Sequence, residues 1–182
     1  MAVNPTQEYL DETVREFVSL ATGLDFDKNV IPGDDGHAAP NGPYATVKEI
    51  IRIKSGIDSQ VDRENVDPVK STLNFKGRRR ITYSVQFYKA GAADFAEALL
   101  AYPNQSPAQI WLAEKGLTWS IASDIRNLDT VMGSKPEIRR SIDISFWYKT
   151  TATAEINIID KTVIDMELSA ETDLSETINL EP

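Results

Sequence analysis

The chain has 182 residues, 41% hydrophobic and 26% charged, enough apolar material for one folded core and too much for wholesale disorder. It contains no cysteine, which excludes disulfide staples, thiolate metal sites and a cysteine nucleophile. A net charge of −9 counts against general nucleic-acid binding driven by phosphate neutralisation, and no run approaches the roughly 18 apolar residues of a membrane-spanning helix. Met1 to Pro5 lacks the basic region and apolar run of a signal peptide, so we expect assembly in the cytoplasm.

Thr6 to Thr22 reads as an amphipathic helix. Leu10, Val14, Phe17, Val18 and Ala21 recur at helical spacing, and Glu8, Asp11, Glu12 and Glu16 fill the other face. Asn4-Pro5-Thr6 starts it and Gly23 stops it. Ile31 to Pro43 is crowded with proline and glycine and reads as a loop. Tyr44 to Ser55, with Thr46, Val47, Ile50, Ile51 and Ile53, reads as a strand, and Asp58 to Pro68 as an exposed turn or hairpin tip. Arg79 to Tyr88 alternates: Ile81, Tyr83, Val85 and Phe87 point to a core, while Arg80, Thr82, Ser84, Gln86 and Tyr88 point to water or an interface.

A second helix follows Gly91, carrying Phe95, Ala98, Leu99 and Tyr102 until Pro103 breaks it. Ser106-Pro107 restarts a short helix with Ile110, Trp111 and Leu112, ended by Gly116. Leu117 to Ser123 is a strand and Asp124 to Pro136 a turn-rich connection. A long strand then runs from Ile138 to Tyr148, with Ile142, Ile144, Phe146 and Tyr148 opposed to Asp143, Ser145 and Trp147. Ala154 to Leu168 reads as a last strand, in which Ile164, Met166 and Leu168 alternate with Asp165 and Glu167. The expected fold class is α+β: a mixed or antiparallel sheet packed by an N-terminal helix and two short central helices. Residues 1–168 would form that domain and residues 169–182 an extended acidic C-terminal arm. From Thr162 onward there are six acids and no lysine or arginine.

No catalytic constellation emerges. His37, the one histidine, lies in the Pro/Gly loop and cannot assemble a zinc site without cysteines; it is also the only available base for a serine triad, and no Gly-x-Ser-x-Gly elbow exists. No phosphate-binding glycine pattern is present, and Asp34-Asp35 are adjacent in a loop that holds no fixed carboxylate separation. We expect no enzyme, no metal site and no cofactor. What stands out is a basic element, Lys76 with Arg78, Arg79 and Arg80, echoed by Arg139 and Arg140. These cations could be solvated strand ends, partners for acids of a neighbouring subunit, or contacts to DNA. Asp165 and Glu167, in the acidic stretch, are candidate counterparts. Trp111 and Trp119 suit a core, whereas Trp147 falls on the polar side of its strand, as a protein interface would explain.

Three ordered stretches resemble the phage neck or tail terminator family: Pro40-Asn41-Gly42-Pro43-Tyr44-Ala45-Thr46; Arg79 through Tyr88; and Gly91-Ala92-Ala93-Asp94 entering a helix. Leu112 through Gly116-Leu117, and Arg139 followed by Ile142-Asp143-Ile144-Ser145-Phe146, continue the likeness, which spans Asn4 to Ile159. The resemblance implies a structural virion protein, assembled in the host cytoplasm. It would form a homo-hexameric ring on the head-proximal end of the tail tube, end tube polymerisation and join the head connector or stopper protein. In contractile tails the sheath is a further partner. Genomic DNA would pass through the lumen without specific binding, and no membrane is involved. The family offers no catalytic residues to carry over, and the extension after Leu168 departs from it. A head-completion or stopper protein is the nearest alternative; a cytosolic ligand-binding domain or enzyme is a distant one.

Overall fold

The computed structural model describes residues 4–33, 36, 38–65, 70–132 and 135–157. Helix α1 (Gln7–Thr22) starts and stops where its punctuation predicts. Thr6 Oγ1 accepts the Tyr9 N–H at 3.2 Å, and Gly23, at φ 73°, donates its N–H to the Ser19 carbonyl at 2.8 Å. Leu10, Val14, Phe17 and Val18 are fully buried.

Then come β1 (Val30–Pro32), β2 (Tyr44–Asn65), β3 (Lys70–Tyr88), α2 (Ala92–Ala101), a 3-10 turn (Tyr102–Asn104), α3 (Ser106–Glu114), β4 (Leu117–Ala122), β5 (Arg126–Asn127), β6 (Thr130–Met132), β7 (Lys135–Glu137) and β8 (Arg139–Asn157). The main sheet has the order β1-β2-β3-β8-β4, and β5 shares the outer edge of β8 with β4. Only β1 and β2 run parallel, so the sheet is mixed. β6 and β7 pair with each other as a separate hairpin.

The fold is therefore α+β, as expected, and its core lies between one sheet face and the helices. Ile81, Tyr83, Val85 and Phe87 of β3, with Ile142, Ile144, Phe146 and Tyr148 of β8, join Ala96 and Leu99 of α2 and Ala108 and Leu112 of α3 in that core. Phe17 is its aromatic centre, with ring centroids of Tyr102, Phe146, Trp111 and Trp119 at 5.4, 5.5, 5.9 and 5.9 Å. Beneath it the Tyr83 hydroxyl donates to Asp11 Oδ1 at 2.7 Å.

The strands are longer than their apolar patterns predict. β2 does not stop at Ser55 but continues to Asn65, so the turn expected at Asp58 is strand as far as the described residues run, and residues 66–68 lie outside them. β3 begins at Lys70, not Arg79, and β8 continues past Tyr148 to Asn157, taking in the start of the strand expected from Ala154. The rest of that stretch, the boundary at residue 168, and Asp34, Asp35 and His37 are outside the described residues. Cross-strand pairing explains the extension: β3 pairs along its whole length with β8 and, across three register shifts, with β2 on its other side, so the ladders satisfy most of its backbone whatever the side chains prefer. Beyond Ile81 and Tyr148 these strands contribute nothing to the hydrophobic core, and they form a three-stranded arm that outruns the helical layer. The Asn4 carboxamide closes part of its border, donating to the Thr151 carbonyl at 2.7 Å and accepting the Thr151 N–H at 2.6 Å.

Candidate interface on the helix-free sheet face

Strand alternation puts the even-numbered residues of β3 and the odd-numbered residues of β8 on the face opposite the helices. One cross-strand row there runs Ile121, Ser145, Thr82, Ile51; the next runs Thr118, Trp147, Arg80, Ile53. Thr82 and Ser145 join their hydroxyls at 2.8 Å and make a polar floor. Around it Ile51, Ile53 and Ile121 are 48%, 37% and 60% exposed.

Trp147 stands on this face between two guanidinium groups, Arg78 at 4.3 Å and Arg80 at 5.7 Å from the ring centroid. The next register pair sets Arg78 directly opposite Lys149, and Lys76 lies opposite Thr151. Among the described residues, Lys76, Arg78, Arg80 and Lys149 have no acidic partner. At the other end of the face, Arg139 lies 5.3 Å from the Tyr88 ring centroid and donates to Gln86, and Tyr88 stacks on Tyr44 with centroids 4.5 Å apart. Arg126 pairs with Asp143 at 2.6 Å. Three buried side-chain atoms lack a hydrogen-bond partner among the described residues, Arg80 Nε, Arg139 Nε and Asp143 Oδ1, and all three belong to residues of this face.

The other two candidate arginines are used inside the chain. Arg79 points to the opposite side and grips Asp58 with two bonds, 2.8 and 3.0 Å, while Lys54 adds a third at 3.2 Å. Hydrogen bonds from Arg79 hold the Asp58 carboxyl at about 2, below its ordinary 3.8. Gly77 makes room for this pair, since a Cβ there would fall 2.2 Å from Asp58 Oδ1. Arg140 pairs with Asp129 and donates to Asn127 Oδ1 at 2.8 Å. The Arg139 N–H, donating at 2.8 Å, is the main cause that holds the Asp129 carboxyl below its usual range.

Of the eight residues singled out from sequence, the structure gathers Arg78, Arg80 and Trp147 into one cluster. Arg139 sits farther along the same face, Arg79 and Arg140 on the other, and Asp165 and Glu167 lie outside the described residues. Sequence reasoning missed Lys149, Ile51, Ile53 and Ile121. Irregularities between Glu49 and Ile51, and between Trp119 and Ile121, shift the alternation by one residue and hide which isoleucines share a face.

The arrangement is chemically suited to binding: exposed isoleucines, a tryptophan between arginines and uncompensated positive charge. No helix is long and apolar enough to cross a membrane among the described residues. No curated protein matches the chain. The sequence pattern of phage neck terminator proteins, however, matches residues 8–171, from the first turn of α1 through the whole sheet. The chain belongs to the phage neck terminator family and is a structural protein of the virion neck.

Proposed function

We propose that this protein closes a homo-hexameric ring on the head-proximal end of the tail tube, ends tube polymerisation there, and joins the tube to the head connector or stopper protein. Where the tail contracts, the last sheath ring is a further neighbour, and genomic DNA crosses the lumen without specific binding. Subunits of such a ring need two unlike surfaces that meet head to tail and close. The observation that carries the reading is family membership in a chain with one sheet face turned away from its helices, bearing exposed isoleucines and Trp147. Buried apolar anchors and arginines of this kind dominate protein–protein contacts.

The test is electron microscopy of the purified protein with and without purified tail tubes. The expected result is ring-shaped particles and one cap on a single end of each tube, with no further growth when tube subunits are added. Tubes that keep elongating in its presence, with the protein remaining single, would overturn the assignment.

A further inference from the structure

We infer that the basic cluster around Trp147 is the docking site for the acidic segment 162–182 of a neighbouring copy. The inference rests on the ring reading and specifies the contact that would close it.

The face carries a charge arrangement that the described residues leave uncompensated. Arg78 is directly opposite Lys149, and Lys76 and Arg80 are the next same-face residues along β3. Like charges in cross-strand register repel, and the sheet keeps four cations together with no acid ion-paired to any of them among the described residues. They do so in a chain whose net charge is −9, so the cluster is a local inversion of the molecule's overall sign. Arg80 also holds a buried Nε without a hydrogen-bond partner there. Carboxylates laid on this face would supply the missing negative charge, with charge-assisted hydrogen bonds to guanidinium groups held against the Trp147 ring.

The same chain contains a matching ligand. Residues after Lys161 hold six acids and no base, and Ile164, Met166 and Leu168 alternate with Asp165 and Glu167. Apolar residues interleaved with carboxylates fit a face where Ile53 and Ile51 adjoin the arginines. Beside it, a cleft of about 590 Å³ is lined by Lys76, Arg78, Trp147 and Lys149, large enough to take side chains of an extended peptide.

Geometry favours a neighbour for Asp165 and Glu167, the acids interleaved with Ile164, Met166 and Leu168. The described chain ends at Asn157, at the far end of β8 from the core, and Trp147 lies ten residues back along the same strand, about 33 Å at 3.3 Å per residue. For Asp165 or Glu167 to reach its own Trp147 the chain would have to reverse at once and stay almost fully extended, whereas the acids from Glu171 onward have slack to reach either copy. A second copy placed against the end of the arm requires no reversal.

The experiment uses two full-length charge-reversed chains. One carries Lys76→Glu, Arg78→Glu and Lys149→Glu, all at exposed positions without an internal ion pair; the other carries Asp165→Lys, Glu167→Lys and Glu171→Lys. Assembly is read by sedimentation velocity. Each chain alone should need about tenfold or more protein for half-assembly, as expected when a charged contact is reversed. An equimolar mixture should regain assembly, because each variant then meets its complement in the other. Recovery by mixing also shows that both variants are folded. Either variant assembling alone as well as the unaltered chain would overturn the inference and leave the ring intact. A mixture that stays apart, while a chain with both sets of reversals assembles, would assign the segment to its own face and overturn docking between copies. An unaltered protein that never assembles, even on tail tubes, would remove the ring reading itself and the inference with it.

Discussion

Tyr83 and Trp147 occupy opposite faces of one ladder, and each carries a polar group or charge partner that its burial demands. Tyr83 is 1% exposed, and burial, reinforced by the Asp11 carboxylate, pushes its phenol far above the ordinary range, so it stays a proton donor. Replacing it by phenylalanine keeps the ring in the core and removes only the bond to Asp11. Tyr83→Phe should cost about 1.5–3 kcal/mol in urea unfolding, the usual worth of a hydrogen bond to a charged group. A cost below about 0.5 kcal/mol would mean that water replaces the bond freely. Alternation alone places Tyr83 inward and Trp147 outward, so both were legible from sequence. The arginines were not. Arg78 and Arg80 lie against the Trp147 ring with no acid partner among the described residues, whereas Arg79 between them belongs to Asp58, more than twenty residues earlier in the chain. Arg79→Glu would therefore set two carboxylates together and disturb the arm before it tested any interface.

At the scale of elements, the arm is where sequence and structure part. The core halves of β3 and β8 announce themselves by strict alternation of large apolar residues. Beyond Ile81 and Tyr148 that signal ends, because among the described residues no helix packs on the arm to bury an apolar side. Pairing holds the polar stretch from Asp58 to Asn65 in a strand, and a register shift between Ser55 and Ser59 brings Asp58 beneath Arg79. This pairing depends on pH in a defined direction. The Asp58 carboxyl is depressed from 3.8 to about 2, so its stabilising contribution is complete above 3.8 and disappears as the pH falls towards 2. Carbon-detected NMR titration should place the Asp58 midpoint near 2, with loss of Arg79 side-chain protection through the same window. A midpoint near 3.8 would show that the pair does not form in solution.

For the whole molecule, the sign of the salt response separates two electrostatic accounts. Copies with a net charge of −9 repel one another, and screening that repulsion would favour assembly as salt rises. Docking of acids onto the Trp147 cluster acts the other way: short-range attraction weakens once the Debye length falls from about 8 Å at 0.15 M to about 3 Å at 1 M. Because the opposed charges meet at contact distance while the net charges are spread over the surface, the local term should win. Sedimentation across that range should show rings giving way to single copies; rings that strengthen with salt would count against acid–base docking.

The borders of the arm have a consequence for what the protein avoids. Past Val47 the outer edge of β2 has no neighbouring strand among the described residues, yet its pairing with β3 is thrown out of step three times before Asn65; on the other side Asn4 occupies both backbone groups of Thr151. A stray strand laid along either rim would find donors and acceptors out of phase within a few residues. Long sheets with clean rims stack into fibres. Interrupted rims on a strand of 22 residues work against the edge-to-edge stacking from which amyloid grows.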